Sequence, residues 1–150
     1  MNDFSTPGTS NAFGYVASPG NYPAPGKRPQ SSISPTIVDF ANGTFFFATG
    51  AAGGSRIITA TVQNLWHVLD QGFDALPAIA EPRLHDQIIP ETTSFEYAYP
   101  NCTVEYLRQV GHNISYVARG QSIAQAVMEK GGVFQAATDP RRIDSRGVVV

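Results

Sequence analysis

The amino-acid sequence predicts an α+β fold, and three observations carry that reading. Strand-like and helical segments both occur, yet they do not follow the strict strand–helix alternation of a doubly wound parallel sheet. Two apolar strand-like runs, "TIVDF" and "TFFFATG", flank Asn42-Gly43, the residue pair favoured in a type I′ hairpin turn. Ile58, Val62, Leu65, Trp66 and Leu69 then recur at helical spacing, up to a stop near Gly72. With 150 residues, 42% of them hydrophobic, the chain has material for one domain with a core and is short for two.

Residues 1–36 are dense in Pro, Gly, Ser and Asn, without helical or alternating periodicity, and read as one long loop. A loop of that length is functional or packs on something outside itself. The α+β core is placed at residues 37–150. Ser55 is positioned to cap the long helix, whose apolar stripe places Trp66 in the core. A short helix follows Asp74, with Pro77 in its first turn, and ends by Pro82. "RLHDQIIPETTSFEYAY" reads as extended and loop-like. Thr103 can cap "VEYLRQV", which stops at Gly111. "NISYVA", "SIAQAVM" and "VFQAATD" read as strands, the last two hinged at "EKGG".

Composition excludes several classes of function. The net charge is −2 and no run of five or more like charges occurs, so nothing points to nucleic acid or an anionic membrane surface. No apolar run reaches the ~18 residues of a spanning helix. The start, "MNDFSTPGTS", lacks the pattern of a signal peptide. The single cysteine, Cys102, cannot form an internal disulfide and reads as structural. His67, His85 and His112 lack zinc-ligand spacing and are assigned structural roles; Arg83, Asp139 and Arg141 are expected to hold loops together. Asn42, Asn101 and Asn113 each head an N-glycosylation sequon, which tilts the chain toward a secretory compartment.

The segment with most chemistry in it is "GAAGGSRII". Gly53 and Gly54 stand at the mouth of the long helix, where main-chain N–H groups lack intrahelical partners and the helix dipole is positive. Without side chains, the glycines let a ligand approach those groups closely. The spacing is neither that of a P-loop nor that of a dinucleotide fingerprint. Two guests remain open, a stable anion such as phosphate and the transient oxyanion of acyl transfer. The plain alternative is a tight strand-to-helix turn. Upstream, Ser31 and Ser32 place adjacent hydroxyls just before a strand.

Together "MNDFS", "PGKRPQSSISPTIV", "GAAGGSRIIT", "EPRLHDQ", the Gly-His pair at 111 and 112, and "AATDPRR" resemble, in order and spacing, the C-terminal part of the small subunit of the gamma-glutamyltransferases, also called gamma-glutamyltranspeptidases or glutathione hydrolases. The resemblance covers essentially the whole chain. It implies part of a four-layer αββα sandwich of the N-terminal nucleophile hydrolase type. It also implies an enzyme in which a threonine is acylated by a gamma-glutamyl compound such as glutathione, the glutamyl group then passing to water or an amino acceptor. No cofactor and no metal are implied.

Carried over by position, Asp3 would bind the ammonium of the glutamyl head, Ser31 and Ser32 its α-carboxylate, and the Gly53 and Gly54 N–H groups the oxyanion. Asn2 departs from the family's Met-Asp-Asp-Phe segment, leaving Asp3 as its acid. The nucleophilic threonine belongs upstream of Asp3; Thr92 and Thr93 lie too far downstream to match it. The chain alone is therefore expected to be inactive, with the large subunit and the upstream part of the small subunit as partners. The implied location is the secretory pathway, ending at the cell exterior, the plasma-membrane surface or the vacuolar lumen. The competing reading is a non-catalytic module that binds glutamyl groups or anions.

Overall fold

The computed structural model describes residues 2–149, with side chains from Phe4 onward. Helix α1 (Asn2–Ser5) opens a long irregular segment that carries one 3-10 turn at Pro19–Asn21 and a single bridge between Ser10 and Val16. Strands β1 (Thr36–Asp39) and β2 (Phe45–Ala52) pair antiparallel. Their turn differs from the two-residue type I′ expected: Gly43 N–H donates to the Phe40 carbonyl, and Phe40 N–H to that of Thr44. Gly43 alone has positive φ there, +82°, so the loop is a type I turn closed by a glycine bulge. Asn42 Oδ1 accepts from the Thr44 N–H instead of adopting the left-handed conformation.

Helix α2 (Arg56–Leu69) and helix α3 (Ala75–Ala80) follow, then β3 (Leu84–His85), β4 (Thr93–Glu96), α4 (Asn101–Gln109), β5 (Ile114–Val117), β6 (Ile123–Lys130) and β7 (Val133–Thr138). The strands make two sheets, in the orders β1-β2-β6-β7 and β3-β4-β5. In the hairpin β6–β7, Lys130 pairs with Val133 across Gly131 and Gly132, both at positive φ. That is the type I′ geometry, reached where glycine carries no Cβ penalty. Strands β4 and β5 are parallel, and α4 supplies the crossover this requires, giving one local βαβ unit within an α+β chain.

The core lies between α2, α3 and one face of the larger sheet. Phe47 of β2, Ala124, Ala126 and Met128 of β6, Ala137 of β7, and Ala75, Ala78 and Ile79 of α3 pack in one buried cluster. Alternation fixes the register, since every second residue of β6 from Ala124 to Met128 is buried. Large side chains such as Phe47 and Ile79 contribute about 1.5–3 kcal/mol each by leaving water.

Helix α2 corrects the sequence reading. Its buried face is Ile57, Ala60, Thr61, Asn64, His67 and Val68, while Ile58, Val62, Trp66 and Leu69 are about half exposed. Trp66 is therefore not a core residue. Small and polar residues face the sheet because the helix lies close to it and Asn64 Nδ2 donates to Thr49 Oγ1 at 3.1 Å. Ser55 makes no capping hydrogen bond, and α4 begins at Asn101 with Thr103 inside it. The segment read as loop-like includes β4, whose four residues are all buried.

Beneath the junction of the elements lies an ion cluster that bears out the structural role of Arg83, Asp139 and Arg141. Arg141 Nη2 meets Glu96 Oε2 at 2.5 Å, Arg141 Nη1 meets Asp139 Oδ1 at 3.0 Å, and Arg83 Nη2 meets Asp139 Oδ2 at 2.8 Å. Asp139 is fully buried, and also accepts from the Ala124 and Arg141 N–H groups. Burial pushes the Asp139 pKa up, but those N–H groups and Arg83 outweigh it and hold the carboxyl below its ordinary value.

Candidate active site at the glycine turn

Strand β2 ends at Ala52, and the chain reverses through Gly53 and Gly54 before entering α2. Both glycines are required by shape. Gly53 has φ +138°, and a Cβ there would stand 2.7 Å from the Gln121 carbonyl oxygen. Gly54 has φ +61°, and a Cβ would stand 2.1 Å from Phe13 Cζ, overlapping the edge of that ring. The carbonyls of Gly53 and Gly54 accept from the N–H groups of Arg56 and Ile57, both at 3.2 Å, which starts the helix. Among the described residues, neither the Gly53 nor the Gly54 N–H donates a hydrogen bond to protein. Two donors thus stand free at the positive end of a 14-residue helix.

The structure brings the serine pair to this turn. Ser32 Oγ donates to the Gly54 carbonyl at 2.6 Å, which ties the loop before β1 to the loop before α2. Ser31 Oγ accepts from the Ile33 N–H at 3.1 Å, leaving its own proton available. Ser31 and Ser32 line a cleft of about 250 Å³ together with Phe4, Tyr15, Gln30 and Ser55. The Asp3 side chain lies outside the described residues; the helix that bears it leads into Phe4 on the wall of that cleft.

Gly53 opens on the other side, into a second cleft of about 300 Å³ that also includes Arg56, His85, Ser94 and Gln121. Ser55 lines both clefts. Phe13 covers Gly54 from a loop braced by the Asn11 side chain, which accepts from the Phe13 and Tyr15 N–H groups, and by ring stacking on Phe4.

The histidines occupy three different settings. His67 is buried, stacks on Phe73 and shares a hydrogen bond with Gln71 Oε1. His85 is buried with Nδ1 against Thr59 Oγ1 at 2.8 Å and Nε2 against Gln87 Oε1 at 2.9 Å, and burial lowers its pKa, with Arg56 adding to the effect. His112 is exposed and meets Thr93 Oγ1, which donates to Asp86 Oδ2 at 2.5 Å. That bond, with one from the Ile88 N–H, lowers the Asp86 pKa. No group of three metal-ligating side chains occurs among the described residues. Cys102 is exposed on α4.

Sequence reasoning passed over Arg56, Phe13 and Glu96. Arg56 carried a legible signal, because a cation in the first turn of a helix opposes the dipole and needs another reason to be there.

The geometry, a free pair of N–H groups beside a hydroxyl-lined cleft, meets an independent finding. The gamma-glutamyltranspeptidase family matches residues 1–149. The chain belongs to that family. The glutathione hydrolase proenzyme of Arthroderma benhamiae is 44% identical over 150 residues, all of this chain and 26% of that protein. The glutathione hydrolase of Aspergillus flavus is 42% identical over 151 residues, 99% of this chain and 26% of its own length. The chain thus spans about a quarter of the length of these curated relatives. Among solved structures, the gamma-glutamyltranspeptidase from Pseudomonas nitroreducens complexed with L-DON superposes with a TM-score of 0.86 at 36% identity, covering 100% of this chain and 79% of that one. A Helicobacter pylori gamma-glutamyltranspeptidase superposes at 0.84 with 35% identity, covering 95% of this chain and 78% of that one. The two-sheet α+β architecture is accordingly that of the N-terminal nucleophile hydrolases to which these gamma-glutamyltranspeptidase structures belong.

Proposed function

We propose that this chain forms half of the glutamyl-binding site of an enzyme that cleaves gamma-glutamyl amides, glutathione among them. In this reading the Gly53 and Gly54 N–H groups bind the oxyanion, Ser31 and Ser32 hold the α-carboxylate of the glutamyl head, and Asp3 holds its ammonium. The observation that carries it is the pair of unpaired N–H groups next to the Ser31–Ser32 cleft. One oxyanion donor is worth about 3 kcal/mol of barrier, so the glycines supply rate. A charge-assisted hydrogen bond is worth about 1.5–3 kcal/mol, so the serines and Asp3 supply selectivity.

For Ser32 to donate to a carboxylate, its hydroxyl must turn away from the Gly54 carbonyl. Substrate binding then releases that carbonyl and couples the head group to the turn that holds the oxyanion. The nucleophile in this proposal is a threonine outside these 150 residues, in the upstream part of the small subunit, which together with the large subunit packs against them. The exposed apolar stripe Val62, Trp66 and Leu69 on α2 supports such a covering partner. Passage through a secretory compartment is supported by the exposure of all three sequon asparagines, Asn42, Asn101 and Asn113, and digestion with a glycosidase that removes N-glycans tests it by a shift in mass.

The test is a chimera in which these residues replace the matching segment of the Arthroderma benhamiae relative. It is expected to release the chromophore from a gamma-glutamyl anilide, and Ser31→Ala to lower kcat/KM about tenfold or more. A folded, processed chimera without that activity would falsify the assignment. If the chain alone binds glutamate saturably while the chimera stays inactive, the non-catalytic module is the correct reading.

A further inference from the structure

The second cleft, on the Gly53 side of the turn, holds none of the residues assigned to the glutamyl head group. Its chemistry is set by Arg56. The guanidinium comes from the first turn of α2 and donates from Nη1 to Ser94 Oγ at 3.0 Å. Among the described residues it forms no ion pair with a carboxylate. Burial lowers its pKa, with Glu96 acting in the opposite direction, yet an arginine stays charged under such conditions. It is thus a half-buried cation with four of its five N–H donors uncommitted to described protein groups.

The surroundings add to the imbalance. Arg56, Arg83, Glu96 and Ser122 line a chamber of about 10 Å³, room for a single water, which shares His85, Val117 and Gln121 with the larger cleft. Arg83 is only 5% exposed, and its Nε has no partner among the described residues. Arg56, Arg83 and Arg141 thus face Glu96 and Asp139, whose carboxylates are already engaged by Arg141 and Arg83. One positive charge is left over, in a setting where an unmatched charge is costly. The cleft is the side from which a counter-charge can enter.

We propose that this cleft receives the departing half of the substrate and that Arg56 binds its terminal carboxylate, which in glutathione is the glycyl carboxylate. The inference rests on the reading of Gly53 as an oxyanion donor, because that donor and Arg56 line the same cleft. Substrate then bridges the turn, with the glutamyl head on the serine side, the scissile carbonyl at the glycines and the dipeptide on the arginine side. A single excess charge suits a monoanion. His85, held neutral by burial between Thr59 and Gln87, does not compete for it.

The experiment compares glutathione with its glycyl-amide analogue in the chimera. The acid is expected to be preferred by about tenfold or more in kcat/KM, the scale of a charge-assisted hydrogen bond. Arg56→Gln is expected to bring the ratio near unity, and Arg56→Lys to keep part of it. Equal use of acid and amide by the unmutated protein would overturn the inference, whatever Arg56→Gln does to folding. So would a full preference retained in Arg56→Gln. Independently of turnover, N-acetylglycine is titrated into the 150-residue chain while the Arg56 Nε–H resonance is followed by NMR. A saturable shift, not reproduced by N-acetylglycinamide, is expected, and its absence overturns the carboxylate site. The gamma-glutamyl anilide carries no such carboxylate and reports on the glutamyl reading alone. Its inertness together with a saturable N-acetylglycine shift would reject that reading and leave the Arg56 site standing.

Discussion

Replacing Gly53 by alanine isolates the physical requirement for the doubled glycine. An alanine at φ +138° enters a sparsely populated region, at about 1–3 kcal/mol. Its Cβ would also stand 2.7 Å from the Gln121 carbonyl oxygen and 2.9 Å from Ser122 Cα. Both are backbone atoms of the segment entering β6, so relief requires movement of the sheet edge, and overpacking of this kind costs about 1–3 kcal/mol more. The sum, about 2–6 kcal/mol, is a large share of the ~5–15 kcal/mol that holds a domain together. Gly50, three residues earlier, is the internal control: nothing lies within 4 Å of its ideal Cβ and its φ is ordinary. Gly50→Ala is expected to change stability by about 0.5 kcal/mol or less. Urea unfolding reads both variants. With a slope of about 1–3 kcal/mol/M, Gly53→Ala should lower the midpoint by about 0.7 M or more. A midpoint equal to that of the unmutated chain would refute the close approach of Gly53 to the Gln121–Ser122 backbone. Equal losses in the two variants would show that any side chain in this segment is disfavoured, irrespective of φ and proximity.

Other perturbations probe the remaining framework. Asp139→Asn leaves Arg83 and Arg141 sharing Glu96 and is expected to cost about 3–5 kcal/mol, whereas Glu105→Gln, at an exposed pair with Arg108, should cost less than about 1 kcal/mol in the same thermal melts. His85 and Asp139 both have folded pKa values below their ordinary ones. Each therefore contributes stability that is present above its unfolded pKa and lost as pH falls through the folded value: below about 6.5 for His85 and below about 3.8 for Asp139. Denaturation at stepped pH should show a first decline below neutrality that is missing in His85→Gln. Val62→Glu combined with Leu69→Lys should leave the stability of the chain within about 0.5 kcal/mol, since both sites are exposed, while lowering the yield of processed chimera.

How much of this was legible in the sequence follows from the range of the forces involved. The β6–β7 hairpin was readable because Gly131 and Gly132 supply both positive φ angles locally. The limits of α2 and α3 were readable because Gly72 and Asp74 punctuate them. Periodicity identified a stripe on α2 but not which side of the helix meets the sheet. A face of Ala60, Thr61 and Asn64 is small and polar enough to look like surface, and Thr49 across the interface decides otherwise. Strand β4 was missed for a related reason. Its Glu96 is stabilised in the interior by Arg141, 45 positions away, and no local pattern encodes that pairing. At the site, the glycines announced themselves through backbone chemistry. The serine pair was visible only through its resemblance to a family, because hydroxyls before a strand are ordinary loop composition.

The distribution of rigidity explains why one turn can serve two clefts. On the sheet side, Gly53 is wedged against the backbone of Gln121 and Ser122, and the Ser122 carbonyl and hydroxyl accept from buried Arg83. Arg83 is locked to Asp139, and Asp139 to Arg141 and Glu96 through the same cluster. The Gly53 position is thereby referred to the most buried charges among the described residues. On the loop side, Gly54 is held by a single hydroxyl, Ser32 Oγ, and by the ring of Phe13, both on segments with little secondary structure. Local opening free energies scale with such contacts, so the serine side is the softer of the two. Under the proposed function, this asymmetry lets a glutamyl head enter on the soft side while the Gly53 donor stays in place. In that reading the head group exchanges one hydroxyl bond as it enters, while the Gly53 donor remains referred, through the Ser122 backbone and Arg83, to the buried Asp139–Arg141–Glu96 pairs.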